Sequence, residues 1–122
     1  MEIRFASKKL EKISLDGSLV REYVKSKGVQ DLGKAVLKIQ LALTHLDAAE
    51  NMHEIPEVFR PHPLVANFRG HYGLSVTNTH RLLLKPDHDD QPDFNWENTR
   101  SITRVTITHL CMDYHTKKKE VK

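Results

Sequence analysis

The sequence predicts an α+β fold in which two or three N-terminal helices pack on a twisted, mainly antiparallel sheet of four to five strands. Apolar residues recur at helical spacing up to Leu46, whereas apolar and polar residues alternate after Pro56, as they do in strands. A chain of 122 residues has the length of one domain and can bury about two-thirds of its unfolded surface. Helices that precede strands along a chain pack naturally on one face of the sheet.

The chain opens with a predicted strand and two short helices. Residues 2–6 alternate and predict the strand, and Ser7 is a candidate N-cap for the helix that follows. Asp16-Gly17-Ser18 interrupts that helix, and a second helix is predicted to end near Gly28.

The strongest periodic signal predicts a third helix, with Asp31 as a candidate cap. Its apolar residues are spaced by 4, 3, 4 and 3 positions: Leu32, Val36, Ile39, Leu43 and Leu46. Leu37 and Leu41 widen this stripe. We expect the stripe to pack in the core, because that is the usual role of an amphipathic helix.

The second half predicts strands at residues 58–62, 71–77, 80–85 and 104–110. Thr77-Asn78-Thr79 is a tight-turn candidate between two of them. The unbroken run Leu82-Leu83-Leu84 indicates a central strand buried on both faces. Residues 86–101 are polar and acidic and predict a long loop, which we expect Phe94 and Trp96 to pin.

Composition excludes several classes of protein. No apolar run approaches the roughly 20 residues of a membrane span, and the first residues contain no apolar signal segment. A single cysteine, Cys111, excludes an internal disulfide and a cysteine-based zinc site, and we expect it to serve in packing. We therefore expect a cytoplasmic protein with no membrane partner.

The net charge of +3 comes from one end of the chain. Residues 117–122 hold four lysines and one glutamate, so the other 116 residues are neutral overall. A protein that binds duplex DNA through bulk charge would be more basic. We expect two regions: a domain over residues 1–116 and a basic tail over residues 117–122.

The histidine and arginine residues suggest chemistry on a phosphodiester. His62 lies between two prolines, Arg60 and Arg69 flank it, Arg81 begins the leucine-rich strand, and the last strand leads into Asp113-Tyr114-His115. RNA cleavage without a metal needs an acid and a base, and it needs cations beside the phosphorane. Histidine titrates near neutral pH, arginine presents a planar fork to phosphate oxygens, and tyrosine can stack on a base.

The sequence resembles the HigB-type killer proteins of the RelE/ParE toxin superfamily. The resemblance extends to residue 115 and is carried by blocks along the chain: Met1-Glu2-Ile3-Arg4-Phe5, Lys8-Lys9-Leu10-Glu11-Lys12, Phe59-Arg60-Pro61-His62-Pro63-Leu64, Arg69-Gly70, His80-Arg81-Leu82-Leu83, Lys85-Pro86, Asn95-Trp96 and Asp113-Tyr114-His115. One departure concerns Val65 and Ala66, since many members have Lys-Gly after His-Pro-Leu. A second is His80, which replaces an aromatic residue.

The resemblance implies a RelE-like fold and a ribosome-dependent endoribonuclease that cleaves mRNA in the ribosomal A site without a metal or cofactor. It implies a HigA-like helix-turn-helix antitoxin that neutralises the toxin and represses the shared operon, so that operator DNA is bound only through the antitoxin. His62 and His115 would be acid and base, Asp113 and Tyr114 would orient His115 and the substrate, and Arg81 would bind phosphate. Further phosphate contacts are expected from the remaining cations: Arg60, Arg69, Lys117 and Lys118.

Other interpretations of these residues stay open. His62 can be a surface histidine without a role, His115 can belong to a frayed end, and Arg81 can pair with an acid of residues 87–97. The lysines of the tail can simply be solvated. The nine-residue spacing of His62, His71 and His80 fits no metal-site rule.

Two other functions are compatible with the sequence. One is a toxin of the same superfamily that inhibits gyrase without nuclease activity, although such members generally lack the histidine pair. The other is a degenerate relative that only binds an antitoxin, which Val65 in place of lysine favours. The acidic residues of 87–97 are a candidate contact for a basic antitoxin surface.

Overall fold

Three α-helices pack against a five-stranded mixed sheet, which confirms the predicted α+β class. The structure is a computed structural model and describes residues 1–88, 90–91, 95 and 97–113. The elements follow in chain order: β1 (Glu2–Phe5), α1 (Lys8–Ser14), α2 (Gly17–Ser26), α3 (Leu32–Ala48), β2 (His62–Pro63), β3 (Tyr72–Ser75), β4 (His80–Pro86) and β5 (Arg104–Asp113). None of the helices in these ranges is both long enough and apolar enough to cross a membrane.

α1 and α3 begin at the N-caps that the sequence predicts, and α2 begins after Asp16, within the segment predicted to interrupt the first helix. The Ser7 hydroxyl accepts a hydrogen bond from the Leu10 N–H at 3.1 Å and so starts α1. The carboxylates of Asp16 and Asp31 do the same for α2 and α3, at 2.9 and 3.1 Å. Such caps satisfy backbone donors that the helix leaves unpaired, and each is worth about 1 kcal/mol.

Helix α3 packs its predicted stripe in or against the core. Ile39 and Leu46 are buried, Leu32, Val36 and Leu43 are partly buried against the core cluster, and the small Ala35 and Ala42 are buried beside them. The expectation that Leu37 and Leu41 widen the core face is wrong, since they are 57% and 44% exposed. Their side chains lie on the side of α3 that is opposite its buried residues.

The strands lie in the order β1-β5-β4-β3-β2. β1 pairs parallel with β5, and the other three pairs are antiparallel. β4 is central, and Leu82, Leu83 and Leu84 are all completely buried, as the run of leucines predicts. The turn at Thr77-Asn78-Thr79 also lies where predicted, between β3 and β4.

The strand predicted over residues 58–62 is mostly wrong. A 3₁₀ turn occupies Glu57–Phe59, Arg60 adopts a left-handed conformation with φ 49°, and β2 contains only two residues. Prolines 61 and 63 lack the N–H groups that would extend pairing, so the strand stays short.

β5 continues three residues past the predicted end at Leu110. Its pairing with β4 shifts register twice, between Arg81 and Leu83 and between Leu83 and Leu84. Such bulges insert an extra residue and change which side of the sheet the following side chains face. As a result His109 pairs with Leu83, while Leu110 is buried in the main core.

The predicted loop at 86–101 is anchored by His88 and by arginines. The buried His88 ring accepts hydrogen bonds at its Nε2 from the backbone N–H groups of Thr103 and Arg104, each at 3.2 Å. Arg104 pairs with Asp90, and Arg4 contacts Asp87 at 3.3 Å. Phe94 and Trp96, which we expected to pin the loop, lie outside the described residues.

Candidate functional site

The sheet has two chemically different faces. One face packs in the main core, and the buried side chains of all three helices belong to the same cluster. Its members from the strands are Tyr72, Leu74, Leu82, Leu84, Val105, Ile107, Leu110 and Cys111. The other face, which we call the open face, carries their alternating neighbours, matched across the strands by register: Gly73, Ser75, Arg81, Leu83, Lys85, Thr106, His109 and Met112.

The segment from His62 to His71 lies across the open face. The Leu64 N–H donates to the His71 carbonyl at 2.9 Å. Leu64 packs so closely over Gly73 that a Cβ added there would lie 3.0 Å from its Cδ2. Leu64 and Leu83 are both buried although neither belongs to the main core cluster. They form a small apolar base beneath the polar residues of this face.

His62 is held in a defined orientation on this face. It pairs with Gly73, and its ring Nδ1 lies 2.6 Å from the Arg60 carbonyl. The carbonyl can only accept, so Nδ1 donates, and the neutral ring keeps a lone pair on Nε2. The left-handed backbone of Arg60 orients that carbonyl, and non-glycine residues adopt such a conformation at a cost of about 1–2 kcal/mol. Strain of this kind is concentrated at functional sites.

Arg81 lies on the same face as His62, two strands away and two residues further along, which places their backbones about 12 Å apart. Its Nη1 donates to the carbonyls of Thr77 and His80, at 2.7 and 3.1 Å, and approaches the Ser75 hydroxyl at 3.5 Å. The guanidinium therefore closes the β3–β4 turn as well as presenting a cation to the open face.

Asp113 is placed apart from His62. It ends β5, three strands from β2, and it pairs with His80 in register. It borders a groove of about 670 Å³ that also contains Lys34, Lys38 and Thr77. The structure thus brings His62 and Arg81 to one face and sets Asp113 at the end of the sheet. The other residues predicted for this end, Tyr114, His115, Lys117 and Lys118, lie outside the described residues.

Arg60 and Arg69 are both exposed on the segment that crosses the open face. Arg60 comes two residues before His62, and Arg69 directly follows the 3₁₀ turn at Ala66–Phe68. Both are therefore accessible to a phosphate that approaches this segment.

Three aromatic or imidazole rings on the open face were not predicted as site residues. The Phe68 ring lies 6.0 Å from the His71 ring and 6.1 Å from the His109 ring, and it is nearly perpendicular to each. The sequence could have placed His71 on this face, because it precedes Tyr72 in a segment that alternates between the two sides of the sheet. The sequence could not have placed His109 there, because only the bulges in β5 bring it to this face.

The two imidazoles of this group are neutral at physiological pH. Burial lowers the pKa of His71, and the charge of Lys85 lowers it further. Burial also lowers the pKa of His109, with additional effects from His71 and Lys27. Desolvation disfavours the charged form of a histidine, and neighbouring cations act in the same direction.

Two further residues have structural roles. The buried His80 donates from Nε2 to the Lys27 carbonyl at 3.3 Å, while the Thr79 hydroxyl lies 3.0 Å from its Nδ1. This ring joins the β3–β4 turn to the end of α2. Cys111 is buried, and burial raises the pKa of its thiol to about 11, so it serves in packing, as predicted. Across the described ranges, no three His, Cys, Asp or Glu side chains are grouped to hold a metal ion.

Comparisons with known proteins give a similarity in structure. No protein-family model matches the sequence, and no curated protein matches it. Among solved structures, the chain is similar to one titled "YoeB-YefM complex from Staphylococcus aureus", with 20% identity, 91% of this chain and 93% of that chain covered, and a TM-score of 0.48.

Proposed function

We propose that this chain is the toxin of a type II toxin-antitoxin system, a HigB-type member of the RelE/ParE superfamily that cleaves mRNA on the ribosome. In this proposal it needs no metal and acts in the cytoplasm. A cognate HigA-like helix-turn-helix antitoxin neutralises it, and operator DNA is bound only through that antitoxin.

The observation that carries the proposal is the placement of His62. Its Nδ1 is fixed on the Arg60 carbonyl, so its Nε2 is the free acid–base nitrogen, and it shares the open face with Arg81. An imidazole with one nitrogen oriented and the other available is the arrangement that general acid–base catalysis uses. The segment that holds it also supplies two exposed arginines, Arg60 and Arg69.

The proposed reaction is an internal transfer at one phosphodiester. A base removes the proton of the ribose 2′-hydroxyl, and the 2′-oxygen attacks the adjacent phosphorus. The bond to the 5′-oxygen breaks, and an acid protonates that oxygen. In our proposal His62 and His115 share these two roles, Asp113 and Tyr114 orient His115 and the substrate, and Arg81 neutralises the phosphorane charge. The surrounding cations would hold the neighbouring phosphates: Arg60, Arg69, Lys117 and Lys118.

The backbone at Ala66 gives independent support to the resemblance. Ala66 has φ 57°, a left-handed conformation that favours glycine. The resembled proteins place the glycine of their Lys-Gly pair at this position. A backbone suited to glycine at the residue where the sequence has alanine is consistent with descent from such a segment.

The test is expression of wild type, His62→Ala and His115→Ala in a bacterial host, with mapping of mRNA 5′ ends. Removing a general acid or base costs about 10²- to 10⁴-fold in rate, so we expect growth arrest and cleavage to be lost in both variants. His53→Ala is the matched control, since this exposed histidine contacts Thr99 and Arg100 away from the open face. Equal cleavage by all three proteins would remove both histidines from the mechanism.

A second candidate, a degenerate relative that only binds an antitoxin, is favoured by Val65. This side chain is 59% exposed, so an accessible apolar residue stands where the resembled proteins carry a phosphate-binding lysine. The candidate predicts no growth arrest with wild type and arrest with Val65→Lys. Wild-type arrest without mRNA cleavage, together with loss of gyrase supercoiling, would instead favour a gyrase inhibitor.

A further inference from the structure

The two edges of the sheet are built differently. At the β2 edge only two residues pair, and Pro61 and Pro63 lack the N–H groups that an added strand would need. At the other edge, β1 (Glu2–Phe5) contains four residues and no proline. An edge strand of this kind offers unpaired backbone groups to another strand. The β1 edge is therefore the one at which the sheet can be extended.

The unpaired backbone groups of β1 follow from its parallel pairing with β5. The N–H groups of Glu2 and Ala6 donate to carbonyls in and just before β5, at 3.0 and 2.9 Å. Alternate residues of a strand bond to the same neighbour, so the backbone groups of Glu2, Arg4 and Ala6 face β5. Ile3 and Phe5 direct their N–H and C=O groups outward. In the part of the chain that the structure describes, these four groups have no partner.

The side chains of β1 carry opposite charges two residues apart. Glu2 and Arg4 lie on the open face, 3.1 Å from each other, and each side chain is 55% exposed. Ile3 and Phe5 lie on the other side, where they pack against the main core and stay partly exposed. In an antiparallel pair centred on Ile3, Glu2 of each strand lies directly opposite Arg4 of the other. The edge is therefore complementary to itself.

We propose that β1 is the docking edge for a second copy of this chain, which pairs antiparallel about a two-fold axis with Ile3 opposite Ile3. In this dimer the two Ile3 residues exchange both of their outward hydrogen bonds, and a Glu2–Arg4 pair flanks them on each side. A two-fold interface requires such reciprocity, because every contact occurs twice. The inference goes beyond the proposed function and does not depend on it.

Charge selects this register over the other two-fold register that the outward groups permit. Pairing Ile3 with Phe5 of the second copy would also satisfy those groups, but it would set Arg4 directly opposite Arg4. Like charges directly opposite each other destabilise a pair of strands, whereas opposite charges stabilise it. The register centred on Ile3 is therefore the favoured one.

The dimer leaves both candidate sites accessible. A two-fold axis perpendicular to the sheet joins the two sheets into one, with the helices of both copies on one side and both open faces on the other. His62 on β2 lies four strands from the contact in each copy. Four-residue strands bury less than the roughly 800 Å² per partner of a standard interface, so the association is weak and depends on concentration.

Sedimentation equilibrium at protein concentrations from about 10 μM to about 1 mM measures the association. We expect the wild-type mass to rise toward that of two chains as the concentration increases. Glu2→Arg and Arg4→Glu each set like charges opposite each other in both pairs, and each should raise the Kd of the dimer by about 10-fold. An equimolar mixture of the two variants should associate about as tightly as wild type, because each variant carries the charges that the other lacks.

A backbone test compares Ile3→Pro with Ile3→Ala. Both remove most of the isoleucine side chain, but only proline lacks the N–H group, so Ile3→Pro should lose the association that Ile3→Ala keeps. Circular dichroism checks that every variant is folded, because Arg4 also contacts Asp87 and Glu2 also contacts Arg104. Should Ile3→Pro fail to fold, the mixture of the two charge variants decides the question.

Three outcomes overturn the inference. They are a wild-type mass of one chain up to about 1 mM, single charge variants that associate as wild type does, and a mixture of these variants that stays monomeric. A dimer formed through another surface gives the second outcome, and an edge that pairs only with a different protein gives the first. The measurement uses the purified chain without RNA, so its failure leaves the proposed function standing.

Discussion

Successive residues of β4 serve opposite purposes. Leu82 and Leu84 pack in the main core, whereas Arg81 and Lys85 lie on the open face. One strand can hold both sets because its alternate side chains point to opposite sides of the sheet. Leu83, which lies between Leu82 and Leu84 in the chain, is also buried, but it belongs to the small apolar base under the open face.

The two faces of the sheet separate the residues that stabilise the fold from the residues of the candidate site. The core face is built of contiguous apolar side chains from the helices and from four of the five strands, and such burial is the main favourable term in folding. The open face gains little from burial and carries most of its polar groups half-exposed. Changes on the core face should therefore act on the free energy of unfolding, and changes on the open face should act on the proposed activity.

The largest expected effect contrasts two neighbours on β4. Leu84→Ala should reduce the free energy of unfolding by about 2–5 kcal/mol, because it leaves a cavity at a completely buried position. Lys85→Ala should change it by at most about 0.5 kcal/mol, because Lys85 is exposed. Urea denaturation followed by circular dichroism measures both. Comparable losses in the two variants would mean that the faces do not differ in this way.

The sequence predicted the core-facing side well because the relevant signals are local. Capping by Ser7, Asp16 and Asp31 depends on residues two or three positions away, and α1 and α3 begin at their predicted caps. The central position of β4 follows from three consecutive leucines. The expectation for Leu37 and Leu41 failed because apolar character alone does not reveal how wide the buried face of a helix is, and the small Ala35 and Ala42 extend that face on its other side.

The open face was less predictable because it depends on contacts between distant strands. His62 and Arg81 could be selected from sequence blocks, yet their common face follows only from the pairing of β2, β3 and β4. His109 reaches that face through register shifts that alternation does not foresee. The place of Asp113, three strands from His62 at the end of β5, likewise follows from strand order and not from any local pattern.

A smaller effect tests how the segment at His62–His71 rests on the sheet. Gly73→Ala should destabilise the protein by about 1 kcal/mol, since its Cβ would lie 3.0 Å from Leu64 Cδ2 and Leu64 is fixed by its backbone bond to His71. Gly33→Ala is the matched control. Nothing lies within 4 Å of a Cβ at that helical position, so alanine should stabilise by about 0.5–1 kcal/mol. Thermal unfolding that shifts in the same direction for both variants would contradict the close packing of Leu64.

The smallest effect is a pH dependence that separates the open face from the acidic loop. The folded-state pKa values of His71 and His109 lie below their ordinary value of 6.5, so both rings are neutral in the folded and unfolded chains well above that pH. As the pH falls through 6.5 the unfolded chain binds protons first, and stability declines until the folded-state pKa values are passed. The double variant His71→Asn, His109→Asn should flatten this decline in denaturation curves recorded between about pH 8 and about pH 5.

Asp90 in the acidic loop acts in a separate pH window. Its hydrogen bond with Arg104 lowers its pKa below 3.8, so its contribution to stability is lost only at more acidic pH, and Asp90→Asn should leave the slope above pH 5 unchanged. A slope that persists in the double histidine variant and disappears in Asp90→Asn would place the pH-sensitive groups in the loop instead of on the open face.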